Sequence, residues 1–182
     1  MKTKNFSSEI ESFIQDYYIP QLVEGIRGIG TIQLDELSGK AAKAIRKGNN
    51  IFAFGNGGSE AIAEHLVYSL EKRVRGLGNY KYYNCKFSTY TNPKISEATD
   101  VPNAELFNGR IRQTGRNGDL AFLVSASGNS DNINNVSQVC RQEGVKTISL
   151  SGAGRITYDA KSKADYSVII PIKDQQIGED VM

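Results

Sequence analysis

Apolar and polar positions along this chain follow a helical period at first, and short apolar runs then alternate with further helical stretches. Apolar residues over 10–18 recur at helical spacing, and a second helix is predicted over 33–47, with Gly48 closing it. The run "NIFAFG" (50–55) is short and unbroken, as in a strand buried on both faces of a sheet. A helix is predicted to follow over 59–73.

The alternation of strand and helix continues to the end of the chain. Further strands are predicted over 81–87, 119–127, 146–152 and 166–172, with helices near 104–114, 131–143 and 155–163. Strands that alternate with helices in this way predict a mostly parallel sheet covered on both faces. The predicted fold class is therefore α/β, with two extra helices ahead of the repeating unit.

A length of 182 residues suits one domain with a substantial core. We divide this domain, 1–182, into N-terminal helices over 1–48 and an α/β core over 49–182, because no linker-like segment interrupts the chain. No apolar run approaches the roughly 18 residues of a membrane span, and the first residues lack the apolar core of a signal peptide. The prediction is a cytoplasmic protein with no membrane partner.

Charge and cysteine content change this picture little. The formal net charge is +2, so the sequence predicts no direct binding to nucleic acid. The basic clusters over 71–75 and 109–116 lack the aromatic residues of a single-strand binding groove, and we interpret them as solvated surfaces. Cys85 and Cys140 form no C-x-x-C pattern, which predicts two reduced, buried thiols.

Two strand-to-helix turns share one chemistry, because "FGNGGSE" (54–60) and "SASGNSDN" (125–132) both combine glycine, asparagine and serine. Glycine lets a backbone approach an anion closely, and a helix N-terminus offers unpaired N–H groups. Ligands of open parallel sheets lie beyond the carboxyl ends of the strands. The paired turns therefore predict a site for an anionic, hydroxyl-rich ligand such as a sugar phosphate. For either turn alone, helix capping by Ser59 or Ser130 is the alternative.

The two motifs, together with His65 six positions after Ser59, resemble the SIS (sugar isomerase) domain family and, within it, the phosphoheptose isomerases. The resemblance implies a Rossmann-like, three-layer α/β/α sandwich with a five-stranded parallel sheet. It also implies a homo-oligomer, usually a tetramer and otherwise a dimer, with sites formed between subunits.

The resemblance further implies which residues contact a substrate. The hydroxyls that would bind its phosphate belong to Ser59, Ser125, Ser127 and Ser130. Asn56 and Gly57 would lie along the sugar, and Asp100 occupies the place of a family Asn-Asp pair near the substrate, where the Asn is replaced by Thr99.

The family's catalytic helix is only partly kept. An aldose–ketose isomerase needs a base near carbon and a donor near the developing oxyanion. The resemblance implies a Glu four residues after His65, and this chain has Ser69 there. Glu64 and Glu71 point in other directions on a helix and are interpreted as solvent-facing.

A second family site begins "Gln-Glu-x-His", where this chain reads "IGEDVM" and ends. Aligned by eye, Glu179, Asp180 and Met182 take the Gln, Glu and His positions, and the family continues into a further C-terminal helix that this sequence lacks. Some relatives bind zinc through these positions, but the ligand set here is incomplete, so we predict no metal or other cofactor. The candidate catalytic residues are therefore His65, Glu179 and Asp180.

Two functions remain open from the sequence. One is a phosphosugar isomerase that acts on sedoheptulose 7-phosphate or a related ketose phosphate. The other is a non-catalytic, regulatory protein that binds a sugar phosphate or a protein partner. The intact turns favour ligand binding in both cases, and Ser69 in place of the family Glu favours the second.

Overall fold

The computed structural model describes residues 6–76, 85–90, 105, 107–152 and 164–182. Its helices are α1 (Phe6–Ser12), α2 (Ile19–Gly28), α3 (Thr31–Arg46), α4 (Gly58–Gly76), α5 (Asn108–Thr114), α6 (Asp131–Gln142) and α7 (Gln175–Val181). Its strands are β1 (Ile51–Phe54), β2 (Phe87–Tyr90), β3 (Leu120–Ser125), β4 (Lys146–Gly152) and β5 (Tyr166–Ile170).

The described strands form one five-stranded sheet in the order β2-β1-β3-β4-β5, and every neighbouring pair is parallel. Ile51 in β1 pairs with both Phe87 and Leu120, which sets β1 between β2 and β3. The predicted α/β class and five-stranded parallel sheet are therefore confirmed.

Core residues fall on both faces of the sheet, because successive strand side chains point to opposite sides. In β1, Ile51 and Ala53 belong to one buried cluster, with residues of α3 and α4. Phe52 and Phe54 belong to another, with residues of α5 and α6. This division produces three layers, with the sheet in the middle.

The first helical stretch is longer than its sequence pattern predicts. It runs from α1 through a π-helical segment, Phe13–Tyr18, directly into α2, which contains Pro20. Proline in a helix removes one backbone N–H and crowds the carbonyl four residues earlier. The wider π-helical turn lies where that crowding falls, and Ile19 N–H donates to Ile14 O, so the helix passes the proline instead of ending.

Two predicted elements differ in position or lie outside the described residues. The strand predicted over 81–87 is observed as Phe87–Tyr90, so its position along the chain was wrong. The apolar tyrosine run before it resembles a strand, but Phe87 is the residue that pairs with Ile51. The helix predicted over 155–163 lies outside the described residues.

Burial raises the pKa of both cysteine thiols to about 12, so both are protonated at neutral pH. Cys140 is buried, as predicted, whereas Cys85 is only half-buried. Among the helices described, none has the length and apolar character that a membrane span requires.

Candidate functional site

The crevice between β1 and β3 lies at the point where the strand order reverses. The helix after β1, α4, packs into one core cluster through Ala63, whereas the helix after β3, α6, packs into the other through Val136. The two helices therefore diverge to opposite faces, and their preceding turns face each other. We call this side of the sheet, where Phe54 and Ser125 end their strands, the carboxyl edge. Ligands of open α/β sheets bind at such a reversal.

The first turn needs two of its glycines for different reasons. A Cβ at Gly55 would lie 2.3 Å from the carbonyl oxygen of Ser59, so only glycine allows the chain to enter α4 this tightly. Gly57 has φ +58°, in the left-handed region that favours glycine. The buried Ser59 thereby comes to lie at the start of α4, at the end of β1.

The second turn gathers three hydroxyls, which we call the serine cluster: Ser125, Ser127 and Ser130. Ser125 Oγ lies 3.2 Å from Ser130 Oγ and 3.5 Å from Ser127 Oγ. Ser130 occupies the N-cap position of α6, but its side chain makes no capping hydrogen bond. Capping therefore does not account for this hydroxyl, which faces Ser125 instead.

Side chains join the two turns across the crevice. Ser59 Oγ accepts a hydrogen bond from Ala126 N at 3.2 Å. Asn56 and Asn132 form a reciprocal amide pair, in which each Nδ2 donates to the other's Oδ1, at 2.9 and 2.8 Å. Asn132 is buried, and sequence reasoning gave it no role although it stands in the quoted motif. Only the folded chain shows that it faces Asn56.

A carboxylate from α7 enters the same crevice. Ser59 Oγ donates to Glu179 Oε1 at 3.1 Å, and a Cβ at Gly58 would lie only 2.1 Å from Glu179 Oε2. The glycine at the start of α4 thus makes room for Glu179. Ser59 already uses its hydroxyl as both donor and acceptor, which suits it to hold Glu179 and the second turn together.

Asp180 points away from that crevice, toward the N-terminal helix. Tyr18 Oη donates to Asp180 Oδ2 at 2.8 Å. This hydrogen bond, with lesser contributions from desolvation and the carboxylate charge, raises the pKa of Tyr18. Asp174 begins the same helix, because its side chain accepts from Gln176 N and Ile177 N. The structure thus separates the two neighbouring acids and brings only Glu179 to the turns.

His65 lies on the exposed face of α4 with Glu64 and Tyr68, whereas Ser59 and Ala63 on the same helix are buried. Ser69 is half-buried on this helix. The other predicted site residue, Asp100, lies outside the described residues. Within one subunit, the described part of the predicted site therefore consists of the two turns and Glu179, with His65 on the outer surface.

The zinc ligand set that the resemblance implies does not fit the residues that stand here. Ser69 and Met182 offer no carboxylate or imidazole at two of the positions. Over the part of the chain that the structure describes, no three His, Cys, Asp or Glu side chains lie close enough together to hold a metal ion.

Comparison with known proteins identifies relatives of this chain. A model of the SIS domain matches residues 18–152. The phosphoheptose isomerase of Chlorobaculum parvum is 35% identical over 131 residues, which cover 71% of this chain and 62% of that protein. The phosphoheptose isomerase of Aliarcobacter butzleri is 31% identical over 145 residues, covering 78% of this chain and 73% of that protein. The chain therefore spans less than two thirds of the first relative's length.

Solved structures share the fold at lower sequence identity. Phosphoheptose isomerase from Neisseria gonorrhoeae superposes with a TM-score of 0.72 at 19% identity, covering 96% of this chain and 90% of that one. The Vibrio vulnificus NanR protein, solved in complex with ManNAc-6P, gives a TM-score of 0.60 at 15% identity and covers 92% of this chain and 56% of that one.

Proposed function

This protein belongs to the SIS domain family, and we propose that it binds a sugar phosphate in the crevice between its two strand-to-helix turns. The observation that carries the proposal is the serine cluster. Its three hydroxyls converge at the end of β3, and the N-cap serine is not used for capping. Hydroxyls at the start of a twelve-residue helix suit a phosphate, since the helix N-terminus favours an anion.

The sugar would extend from the serine cluster toward the first turn. Gly57 and Asn56 lie on that side, and Asn56 is held in place by Asn132. We propose that the main role of Ser59 is to hold Glu179 and that contact with the ligand is secondary. Its hydroxyl already donates to Glu179 and accepts from Ala126 N. Asp100 is kept as a proposed sugar contact from the resemblance alone.

The reaction we propose is aldose–ketose isomerisation of sedoheptulose 7-phosphate or a related ketose phosphate. Glu179 would take a proton from the hydroxyl-bearing carbon beside the carbonyl and return it to the former carbonyl carbon. The hydroxyl proton of the first carbon moves to the former carbonyl oxygen by way of the enediol, so that no proton is gained or lost overall. Phosphoheptose isomerases among the relatives support this reaction class. His65 lies on the exposed face of α4 and Asp180 accepts from Tyr18, so we propose that either takes part only where a neighbouring subunit completes the site.

A second subunit is part of this proposal. Large apolar side chains stay exposed on the N-terminal helices and α4, namely Phe6, Ile10, Phe13, Tyr17, Ile26, Leu34 and Tyr68. Such a surface is typical of a protein–protein interface, and we propose that a second copy of the chain covers it in a dimer or tetramer. Tyr68 is close to His65 on α4, so the same contact would enclose His65. The proposed location is the cytoplasm.

Non-catalytic binding is the second candidate function, and one observation favours it. The half-buried Ser69 stands where the family has a Glu, and its hydroxyl is a poor base at neutral pH. A protein of this fold has been solved with a bound phosphosugar, the NanR protein with ManNAc-6P. In this alternative the crevice would bind the ligand, and the protein would pass the signal to a protein partner through the exposed apolar surface of the N-terminal helices and α4.

The two candidates separate in one experiment. Calorimetric titration with sedoheptulose 7-phosphate measures binding, and the same mixture assayed for the aldose product measures turnover. The isomerase proposal expects both, with turnover lost in Glu179→Gln and binding kept. Binding without turnover across several ketose phosphates would establish the regulatory alternative, and absence of binding would refute both.

A further inference from the structure

The other side of the sheet, where the strands begin, carries a second concave site that the turns do not explain. We call it the amino edge, at Ile51, Leu120, Lys146 and Tyr166. A cavity of about 540 Å³ opens there between β1, β2 and α5. Its size lies within the range of small-molecule sites in proteins.

The cavity is lined by three cations, Lys86, Arg110 and Arg116. Both arginines come from the basic cluster 109–116, which we interpreted from the sequence as a solvated surface. Both side chains are exposed, in agreement with that interpretation, and the structure adds that Arg110 of α5 and Arg116 of the following turn line one cavity. Arg112, between them in sequence, turns outward and pairs with Glu105 at 3.5 Å.

The one carboxylate among the described lining residues already accepts hydrogen bonds from neighbouring residues. Asp119 is buried, and its oxygens accept hydrogen bonds from Asn50 N, Asn50 Nδ2 and Arg116 N, at 2.7, 3.1 and 3.0 Å. Those bonds come from neutral backbone and amide groups, so among the described lining residues three cations stand against this one carboxylate. The bonds also fix the backbone of Arg116 at the rim.

Positive charge continues past this cavity. A neighbouring cavity of about 320 Å³ shares Asn49 with it and is lined by Lys40, Lys43, Lys47 and Lys146. Two of these lysines have carboxylate partners, Glu36 and Asp165. The concentration of cations on this edge contrasts with a net charge of only +2 for the whole chain.

We propose that the 540 Å³ cavity binds a small, multiply charged phosphate compound, with a diphosphate group between Arg110, Arg116 and Lys86. Planar guanidinium groups donate paired hydrogen bonds to phosphate oxygens, and the lysine adds a point charge. The Gln113 amide stands on the same wall as a further donor, whereas the Thr114 hydroxyl already donates to Arg110 O at 2.8 Å. Phe52 is the only aromatic residue among the described lining and is buried, so no exposed ring is present for the base stacking of single-stranded nucleic acid.

The test is calorimetric titration of the full chain with inorganic pyrophosphate and, in a second arm, ADP. Arg110→Gln and Arg116→Gln should each weaken binding by at least about tenfold, since one charge-assisted contact is worth that much. Arg112→Gln is the matched control, because it removes the same charge from α5, the helix of Arg110, at a position that does not line the cavity. It should change affinity by less than about twofold, as expected of a screened surface charge.

Each outcome of these titrations either supports or overturns the proposed diphosphate site. Tighter binding of ADP than of pyrophosphate would support a nucleotide as the natural carrier of the group, and equal binding would support the diphosphate itself. No binding of either probe at millimolar concentration, or equal losses in all three variants, would overturn the proposal. Loss of binding in Ser125→Val instead would also overturn it, because the probe would then occupy the carboxyl edge. Thermal melting of each variant verifies that the exposed arginine substitutions and the buried Ser125→Val leave the fold intact.

Discussion

The two edges of this sheet present different kinds of side chains, although the same strands form both edges. At the carboxyl edge, the turns present neutral donors and acceptors from serine and asparagine, with the Glu179 carboxylate beside them. At the amino edge, lysine and arginine side chains line two cavities, and the buried Asp119 lines the larger of these two. The first edge is a set of neutral side chains and one carboxylate bonded to one another, whereas the second concentrates cations, of which Lys40 and Lys146 pair with carboxylates.

That difference indicates how each edge would recognise a ligand. Hydroxyls and amides exchange hydrogen bonds with a sugar at little electrostatic cost, so the carboxyl edge can discriminate by geometry. Clustered cations attract any compact anion, and the attraction falls with salt. Binding at the amino edge is therefore expected to weaken more steeply with ionic strength than binding at the carboxyl edge.

The largest expected effect is a loss of stability from a substitution at the most closely packed residue of the carboxyl edge. Gly55→Ala places a Cβ 2.3 Å from a backbone carbonyl that cannot move without shifting α4. We expect a loss of about 3 kcal/mol or more in the free energy of unfolding, as in severe overpacking. Urea denaturation measures it.

Gly58→Ala is the matched control for that substitution. Its Cβ meets the far end of Glu179, which can rotate away, so most of the stability should remain while turnover falls. Equal destabilisation by the two alanines would contradict the assignment of Glu179 to this position.

The second effect is at the amino edge. Asp119→Ala leaves the amides of Asn50 and Arg116 without their acceptor in a buried site. The expected cost is about 2–4 kcal/mol, since three hydrogen bonds to a charged group are lost. Denaturant unfolding gives the value, with Asp35→Ala on the exposed face of α3 as a control that should change stability by less than about 0.5 kcal/mol. A loss as small as that of the control would contradict the anchoring role of Asp119.

The third effect tests the link between the two turns. Asn132→Ala removes the reciprocal bonds to Asn56 and should cost about 1–2 kcal/mol of stability. Sugar-phosphate affinity should fall further than stability alone explains, because Asn56 loses its fixed orientation. Asn134→Ala, half-buried on the same helix, is the control. Unchanged affinity in Asn132→Ala would show that the pair has only a structural role.

The smallest effect is a pH dependence at the amino edge. Partial burial raises the pKa of Asp165, but hydrogen bonds from Lys146 and Thr147 outweigh burial and lower it below its usual value. A carboxyl whose pKa is lowered by folding stabilises the fold at pH values above its unfolded pKa of about 3.9. That stabilisation is lost as the pH falls through the folded-state pKa. Melting temperatures should therefore drop less in Asp165→Asn than in wild type when pH is lowered through this range. Parallel curves would contradict the assignment.

Much of the fold could be predicted because buried parallel strands and amphipathic helices carry strong local patterns. β1, β3 and β4 lie within their predicted ranges. The left-handed φ of +74° at Gly48 agrees with its predicted role in closing α3. The predicted position of β2 was wrong because this edge strand has a weaker hydrophobic pattern. The first helix is longer than predicted because a π-helical turn accommodates Pro20.

The candidate site divides in the same way between sequence and structure. The sequence alone determined the two turns, since glycine, serine and asparagine are required by local backbone geometry and local chemistry. Only the tertiary structure decided which side chains meet across the crevice, because Asn56 and Asn132 are 76 residues apart and Ser59 and Glu179 are 120 apart. It also separated Glu179 from Asp180 and Arg110 from Arg112. Helix orientation, which depends on packing against distant strands, decides the direction in which each neighbour points.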